Sequence, residues 1–191
     1  MLDADRTSPT SGRADVRRNR RRLLDAAAQL VLEVGGEPTR DAVAARAGVG
    51  IATLYRHFPD RQALLRSVAL DVLDRTIAAG ARVADDGEPG GLRRYLHAAI
   101  DGGLGAVALV HPLLDDADWP DRRDAARDVL HRLVGDARRR GEVGPGVTVD
   151  EVALVGIRFC RPLAIGIGPD AERALAHRQL DVHLDGLAPR R

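Results

Sequence analysis

The stretch from Thr39 to Phe58, T-R-D-A-V-A-A-R-A-G-V-G-I-A-T-L-Y-R-H-F, constrains the fold more than any other part of the chain. It predicts two short helices joined by a tight turn. Thr39 can cap the first helix with its hydroxyl, and Gly48 allows the positive φ that ends it. In the second helix, Leu54 and Phe58 are four residues apart and face inward together. The stretch therefore predicts a helix-turn-helix, whose second helix has the shape to enter the major groove of DNA.

The outward face of this second helix carries small or hydrogen-bonding side chains instead of a row of solvated carboxylates. Thr53 and Arg56 are the candidates for hydrogen bonds to base edges. Ile51 and Ala52 are suited to contact thymine methyl groups or to exclude other bases. We therefore expect this face to contact the bases of a double-stranded DNA operator.

At these residues the chain resembles a known family. The run A-G-V-G-I-A-T-L-Y-R-H-F, followed by R-x-x-L-L, is similar to the DNA-binding signature of the TetR family of one-component bacterial transcription regulators. The resemblance extends from about Arg20 to Val68 and includes L-L-D-A-A-x-x-L-V-x-x-V-G in the preceding helix. Two positions depart from the family pattern, because Gly50 stands where Ser is frequent and Ala52 stands where Gly is common. Gly50 gives the second helix a weaker cap.

The resemblance also implies which side chains hold DNA phosphates and how the rest of the chain is arranged. Two C-terminal helices per subunit would form a four-helix bundle in a homodimer, and the middle helices would enclose a pocket for an unknown small-molecule effector. Filling the pocket would change the spacing of the two DNA-binding heads and release the operator. The positions that match phosphate contacts in the family are Thr39, Arg40, Tyr55, His57 and Arg61.

The distribution of charge agrees with DNA binding by the N-terminal part. Residues 1–66 carry twelve arginines against eight acidic residues, although the whole chain has a net charge of only +1. Arg20, Arg21 and Arg22 belong to a dense basic cluster at the start of the first helix, where like charges oppose the helix dipole. A polyanion would relieve that cost, so we expect the cluster to face DNA. The alternative is a solvated helix start.

Composition favours an all-α fold. The chain is 45% hydrophobic but only 3% aromatic, and long alternation of β-branched residues is absent, so its core must consist of Ala, Leu and Val. Its single cysteine, Cys160, excludes an internal disulfide and is expected to be a buried thiol. No apolar run has membrane-spanning length and no signal-peptide pattern opens the chain, so we expect a cytoplasmic protein without a membrane partner.

The pattern along the chain predicts about nine helices in two domains. Residues 1–15 are expected to form a disordered tail, residues 16–60 a three-helix helix-turn-helix domain, and residues 61–191 a helical ligand-binding and dimerisation domain. Gly102, Gly103 and Gly105 predict a kink or break in the second domain. Thr148 and Glu151 have the spacing of a capping box.

No catalytic constellation or cofactor motif stands out, so we expect neither an enzyme nor a bound cofactor. His111 with Asp115, Asp116 and Asp118 could hold a divalent ion, but a plain acidic surface loop is the favoured interpretation. The main alternative to a DNA-binding regulator is a helical small-molecule-binding protein whose motif no longer binds DNA specifically.

Two sets of apolar residues are the candidates for the pocket and the dimer interface. The last two helices are rich in small and apolar side chains, which is typical of a surface that pairs with a second copy. The candidate pocket residues are Leu96, Ile100, Trp119, Leu130 and Phe159. The candidate interface residues are Val152, Val155, Phe159, Leu180 and Leu184.

Overall fold

The computed structural model describes residues 9–114, 119–162 and 166–189. Within these ranges the chain forms nine α-helices and one short 3-10 turn, His111–Leu113, and no strand, which confirms the all-α prediction. The helices are α1 Pro9–Val34, α2 Arg40–Ala47, α3 Ile51–His57, α4 Arg61–Asp86, α5 Gly91–Asp101, α6 Leu104–Val110, α7 Pro120–Arg139, α8 Val149–Cys160 and α9 Pro169–Gly186.

The first helix is longer than the sequence pattern predicts. Its helical span begins at Pro9, so residues 9–15, which were expected to belong to a disordered tail, are helical here. Residues 1–8 lie outside the described part of the chain. Asp15 accepts a hydrogen bond from Arg18 at 2.6 Å, an i,i+3 pair that supports the early turns of the helix.

Helices α2 and α3 form the predicted helix-turn-helix, and local chemistry explains its bounds. The Thr39 hydroxyl accepts a hydrogen bond from the Ala42 backbone N–H at 3.2 Å and caps α2. Gly48 ends α2 with φ 61°, a left-handed conformation that disfavours residues with a Cβ. Gly50 precedes α3 without a side-chain cap, as its lack of a side chain predicts. Leu54 and Phe58 are buried against α1 and α4 in an N-terminal core.

The long helix α4 connects the two ends of the molecule. Its Asp60 cap accepts the Ala63 N–H at 2.7 Å. Val68 and Val72 pack into the N-terminal core, whereas Leu65 packs into a middle cluster with Trp119. Further along, Ile77 packs against the C-terminal core. Because α4 packs into or against all three cores, a tilt of this helix would move the helix-turn-helix relative to the C-terminal helices.

The C-terminal core lies among α5, α7, α8 and α9. The capping box at the start of α8 is present, because Thr148 accepts the Glu151 N–H at 3.1 Å and Glu151 accepts the Thr148 N–H at 3.4 Å. The predicted break lies between α5 and α6, which are inclined by 60°. An ideal Cβ on Gly105 would lie 1.9 Å from the Cys160 carbonyl oxygen, so α6 meets the end of α8 backbone to backbone.

Within the described residues, no single helix is long and apolar enough to cross a membrane. The bent pair Gly91–Asp101 and Leu104–Leu113 meets the length and composition criterion only when the two segments are taken together, and buried core helices of other proteins meet it too.

Candidate functional site

The outward face of α3 is open to solvent, as its sequence predicts. Ile51 is 38% exposed and Tyr55 is 44% exposed, and Ala52 and Arg56 are exposed as well. The Thr53 hydroxyl accepts a hydrogen bond from Arg56 at 3.0 Å, which holds the guanidinium along the helix surface. We call this set the recognition surface, and it comprises Ile51, Ala52, Thr53, Tyr55 and Arg56.

Arg40, at the start of α2, lies over the ring of Tyr55 in α3. Its guanidinium carbon is 4.6 Å from the ring centroid, within the range of a cation–π contact. The contact places a positive charge and a phenol hydroxyl side by side at the edge of the recognition surface. Both groups are donors that suit a phosphate oxygen.

The arginines that precede the motif have partners inside the protein. Arg22 donates to the Gly48 carbonyl at 3.4 Å, and the Arg20 guanidinium lies 5.4 Å from the centre of the Phe58 ring. Arg21 donates to Asp25 and to Asp71, each at 3.0 Å. These contacts tie α1 to the motif and to α4, which is a role that the sequence pattern did not predict. All three side chains remain exposed.

Two further predicted phosphate ligands have surroundings that sequence did not show. Arg61 forms an ion pair with Glu37, so its charge is partly neutralised before any DNA arrives. For His57, burial, followed by the charges of Arg20 and Arg56, lowers the pKa of the imidazole. A neutral His57 offers a phosphate one N–H donor and no charge.

An ion pair that the sequence analysis missed fixes α2 against α1. Arg46 donates two hydrogen bonds to Glu33, each at 2.9 Å, in a bidentate arrangement. The hydrogen bond from Arg46 is the main cause that lowers the pKa of the Glu33 carboxyl. Thirteen positions separate the two residues, so no helical spacing rule points to the pair.

A cavity of about 100 Å³ lies between α5, the end of α8 and the start of α9. It is lined by two of the predicted pocket residues, Ile100 and Phe159. The other three lie elsewhere: Leu96 and Leu130 are buried in the C-terminal core, and Trp119 is buried in the middle cluster. None of these three lines the cavity, although Ile100 and Phe159 themselves pack against the C-terminal core. The remaining lining residues are Leu32, Arg158, Cys160, Arg161, Pro162, Pro169, Glu172, Arg173, Leu175, Ala176 and Gln179.

The residues predicted for the dimer interface lie largely in the interior of the protomer. Four of them are buried inside the protomer, because α5 and α7 pack on the most apolar stripe of these helices, and Phe159 is half-buried beside His183. The opposite faces carry exposed apolar side chains instead: Leu154 at 65%, Ile157 at 46% and Val182 at 74%. We call these three residues the outer apolar face. The four buried residues are Val152, Val155, Leu180 and Leu184.

The possible ion site at the acidic loop cannot be placed, because Asp115, Asp116 and Asp118 lie outside the described residues. His111, which is described, meets the Trp119 ring edge-on, with 5.1 Å between the ring centroids. Within the described ranges, no group of three His, Cys, Asp or Glu side chains is arranged to hold a metal ion.

Comparison with known proteins agrees with this geometry over both parts of the chain. Residues 23–68 match the family model described as bacterial regulatory proteins, tetR family. Residues 88–189 match the model for the C-terminal domain of SbtR-like transcriptional regulators. The HTH-type transcriptional repressor LfrR of Mycolicibacterium smegmatis is 38% identical over 105 residues. That match covers 54% of this chain and 54% of LfrR, so it spans about half the length of the relative.

Solved structures match over nearly the whole chain. A TetR transcription regulatory protein from Mycobacterium vanbaalenii is 31% identical with a TM-score of 0.64, and the match covers 93% of this chain and 99% of that one. LfrR from Mycobacterium smegmatis in complex with proflavine is 25% identical with a TM-score of 0.65, and the match covers 91% of this chain and 99% of LfrR.

Proposed function

Since the chain belongs to the TetR family of bacterial transcriptional regulators, we propose that it is a repressor that binds its operator as a homodimer and releases it when a ligand fills the cavity. The observation that carries the DNA-binding part is the recognition surface of α3 with the Arg40–Tyr55 stack at its edge. In this proposal Thr53 and Arg56 contact base edges, whereas Thr39, Arg40 and Tyr55 hold phosphates.

The basic cluster has a narrower role in the proposal than its charge alone implies. Arg20 and Arg22 hold α1 against the motif, and their exposed guanidinium groups add positive potential near the DNA. Arg21 is paired with Asp25 and Asp71 and holds α1 against α4. Arg61 and His57 contribute hydrogen bonds more than charge, because Arg61 is paired with Glu37 and the lowered pKa of His57 favours its neutral form. Binding should still weaken with salt, since Arg40 contacts a phosphate in this proposal and the Arg20 and Arg22 guanidinium groups lie exposed near the motif.

We expect Tyr55→Phe to weaken operator binding without unfolding the protein. Phenylalanine keeps the ring beneath the Arg40 guanidinium and removes only the hydroxyl, which we assign to a phosphate. The expected loss is about 0.5–3 kcal/mol of binding free energy, the span between neutral and charge-assisted hydrogen bonds. The measurement is fluorescence anisotropy at fixed salt, with a duplex selected from random sequences by the unmodified protein.

The matched control is Tyr95→Phe, which changes the only other tyrosine of the chain. Tyr95 is buried in the C-terminal core, so this substitution should leave DNA affinity unchanged. Equal affinity of the Tyr55→Phe variant and the unmodified protein would refute the phosphate assignment. Failure to select any duplex above background would refute specific DNA binding itself and favour the small-molecule-binding alternative.

The effector part of the proposal rests on the cavity. Its walls are mostly apolar, with Arg158, Arg161, Arg173 and Glu172 at the rim, so we propose a largely apolar ligand with one or two polar groups. Proflavine, a ligand of LfrR in its crystal structure, is a suitable first probe. Operator and effector should weaken each other by the same factor, as linkage requires.

We expect Ala176→Phe to weaken proflavine binding about tenfold, because the added ring occupies the cavity that Ala176 lines. Proflavine fluorescence, measured without DNA so that intercalation does not interfere, reports the affinity. Ala174→Phe is the control, since Ala174 lies exposed on the same helix outside the cavity lining. Absence of proflavine binding, or an equal loss in both variants, would count against the cavity as the effector site.

A further inference from the structure

Two histidines from different helices meet head to head between α5 and α9. The Nδ1 atoms of His97 and His177 are 2.5 Å apart, and the ring planes are inclined by only 20°. A separation of 2.5 Å is too short for one ring lying face-on over another, so the rings meet edge to edge, with their centroids 4.8 Å apart. Two bare nitrogen lone pairs at this distance repel each other, and one proton between them makes a hydrogen bond.

The outer nitrogen of each ring faces a carboxylate. His97 Nε2 is 2.9 Å from Asp181, and His177 Nε2 is 2.9 Å from Asp101. The four side chains thus form one continuous chain from Asp181 through both imidazoles to Asp101. All three contacts are hydrogen bonds only when the two rings together hold three protons. Each Nε2 then carries one proton, and the third lies between the two Nδ1 atoms.

This arrangement holds one proton more than two neutral imidazoles and one fewer than two imidazolium ions. A fourth proton would place two N–H donors head to head at 2.5 Å, so the rings would have to separate. Loss of the shared proton would leave two Nδ1 lone pairs facing each other, and loss of an Nε2 proton would leave a lone pair facing a carboxylate. The contact between α5 and α9 is therefore satisfied at an intermediate pH and weakened on either side.

Arginine and histidine neighbours favour the ionised form of the Asp181 carboxyl. On α5, Arg93 donates to Asp181 and to Asp185 of α9. The hydrogen bond from His97, followed by that from Arg93, lowers the pKa of the Asp181 carboxyl. On α8, Cys160 lies near Asp101, and burial raises the pKa of its thiol to about 12, so it stays neutral. Among the described residues, no hydrogen bond or ion pair joins a charged group of α4, α6 or α7 to either imidazole.

We propose that His97 and His177 form a proton-dependent lock that joins α5 to α9 with one shared proton and opens on acidification. The lock adjoins the proposed effector site, because Ile100 precedes Asp101 and Ala176 precedes His177, and both line the cavity. It also holds α9, which carries Val182 of the outer apolar face. Opening of the lock would loosen the wall of the cavity and the position of α9 at the same time. A change of pH would therefore act on this regulator even when no ligand is bound.

Side-chain ¹H–¹⁵N correlation spectra of the unmodified protein test the shared proton directly. Near neutral pH we expect both Nε2 atoms of the pair to be protonated, with one proton between the Nδ1 atoms. The two rings should then take up and lose protons in coupled, successive steps. The signals of His131, which lies exposed on α7, serve as the internal reference. Independent, single-step titration of the two paired rings would overturn the proposal.

Thermal melting between about pH 5 and pH 8, which brackets the titration of an ordinary imidazole, tests the effect on the fold. Near pH 8 the unmodified protein should melt at a higher temperature than the His177→Gln variant. This difference in melting temperature should shrink by about 2–4 °C as the pH falls through the range. His131→Gln is the control and should keep the pH profile of the unmodified protein. Parallel profiles for the unmodified protein and His177→Gln would contradict the lock.

Adding Zn²⁺, with EDTA as the blank, tests whether a metal ion instead of a proton lies between the two imidazoles. The proposal expects no change in melting temperature at constant pH. A Zn²⁺-dependent rise that His177→Gln abolishes would replace the shared proton by a metal site. If His177→Gln does not fold, the spectra of the unmodified protein decide the question alone.

Discussion

Replacing Ile157 and Val182 with glutamate is expected to yield a folded monomer that has lost at least about 100-fold in affinity for the selected duplex. Both side chains lie on the outer apolar face, at 46% and 74% exposure in the protomer. We propose that this face pairs with a second copy in the dimer. Glutamate side chains there would lose their water without gaining a partner when the dimer forms, whereas in a monomer they stay hydrated. A single helix-turn-helix contacts one half-site, and joining two heads adds about two to four orders of magnitude in affinity.

Sedimentation velocity measures the assembly state, and anisotropy measures DNA binding. Leu113→Glu is the control, because Leu113 is 44% exposed but lies in the 3-10 turn outside α8 and α9. This variant should remain a dimer and bind DNA normally. A stable dimer of the doubly charged variant at the same concentration would show that the interface lies elsewhere.

Gly105→Ala is expected to destabilise the protein by about 3 kcal/mol, at the upper end of the range for overpacked sites. The added methyl would lie 1.9 Å from the Cys160 carbonyl oxygen and 2.8 Å from its carbon. Both are backbone atoms, so the clash is relieved only if α6 and the end of α8 move apart. Urea denaturation followed by circular dichroism measures the loss.

The control for this substitution is Gly135→Ala, in the middle of α7. A Cβ at Gly135 would lie 3.4 Å from the flexible tip of Arg139, so it fits without a backbone shift. Alanine at position 135 should stabilise the helix by about 0.5–1 kcal/mol, since glycine is a poor helix former. Unchanged stability of Gly105→Ala would mean that the close approach of α6 to α8 is not tight in solution.

Sequence was sufficient where structure depends on neighbours within one or two helical turns. Thr39 caps α2, Gly48 ends it, and Thr148 forms its capping box with Glu151, all as the spacing predicts. The face of α3 that contains Ile51 and Tyr55 was identified for the same reason, because inward and outward positions alternate with the helical period. Together with the family resemblance, these local rules were enough to predict the fold class and the DNA-binding motif.

Assigning the C-terminal surfaces required the packed structure. The helical period shows that α8 and α9 have apolar stripes, but not which partner covers each stripe. Val155 and Leu184 belong to the protomer core, whereas the outer apolar face stays exposed in the protomer and is the surface that we propose for a second copy. The cavity was only partly predicted, since Ile100 and Phe159 line it whereas Trp119 lies in another cluster.

Contacts between distant parts of the chain were not accessible from sequence at all. His97 and His177 are 80 positions apart, and Arg21 and Asp71 are 50 positions apart. A side chain's neighbours along its own helix follow from a spacing of three or four residues. Its neighbours on other helices follow from how those helices cross, which is decided by the packing of all the cores together. The sequence by itself therefore determined the motif, the caps and the helices, and the tertiary structure decided which charges are paired, which apolar faces stay exposed and which histidines meet.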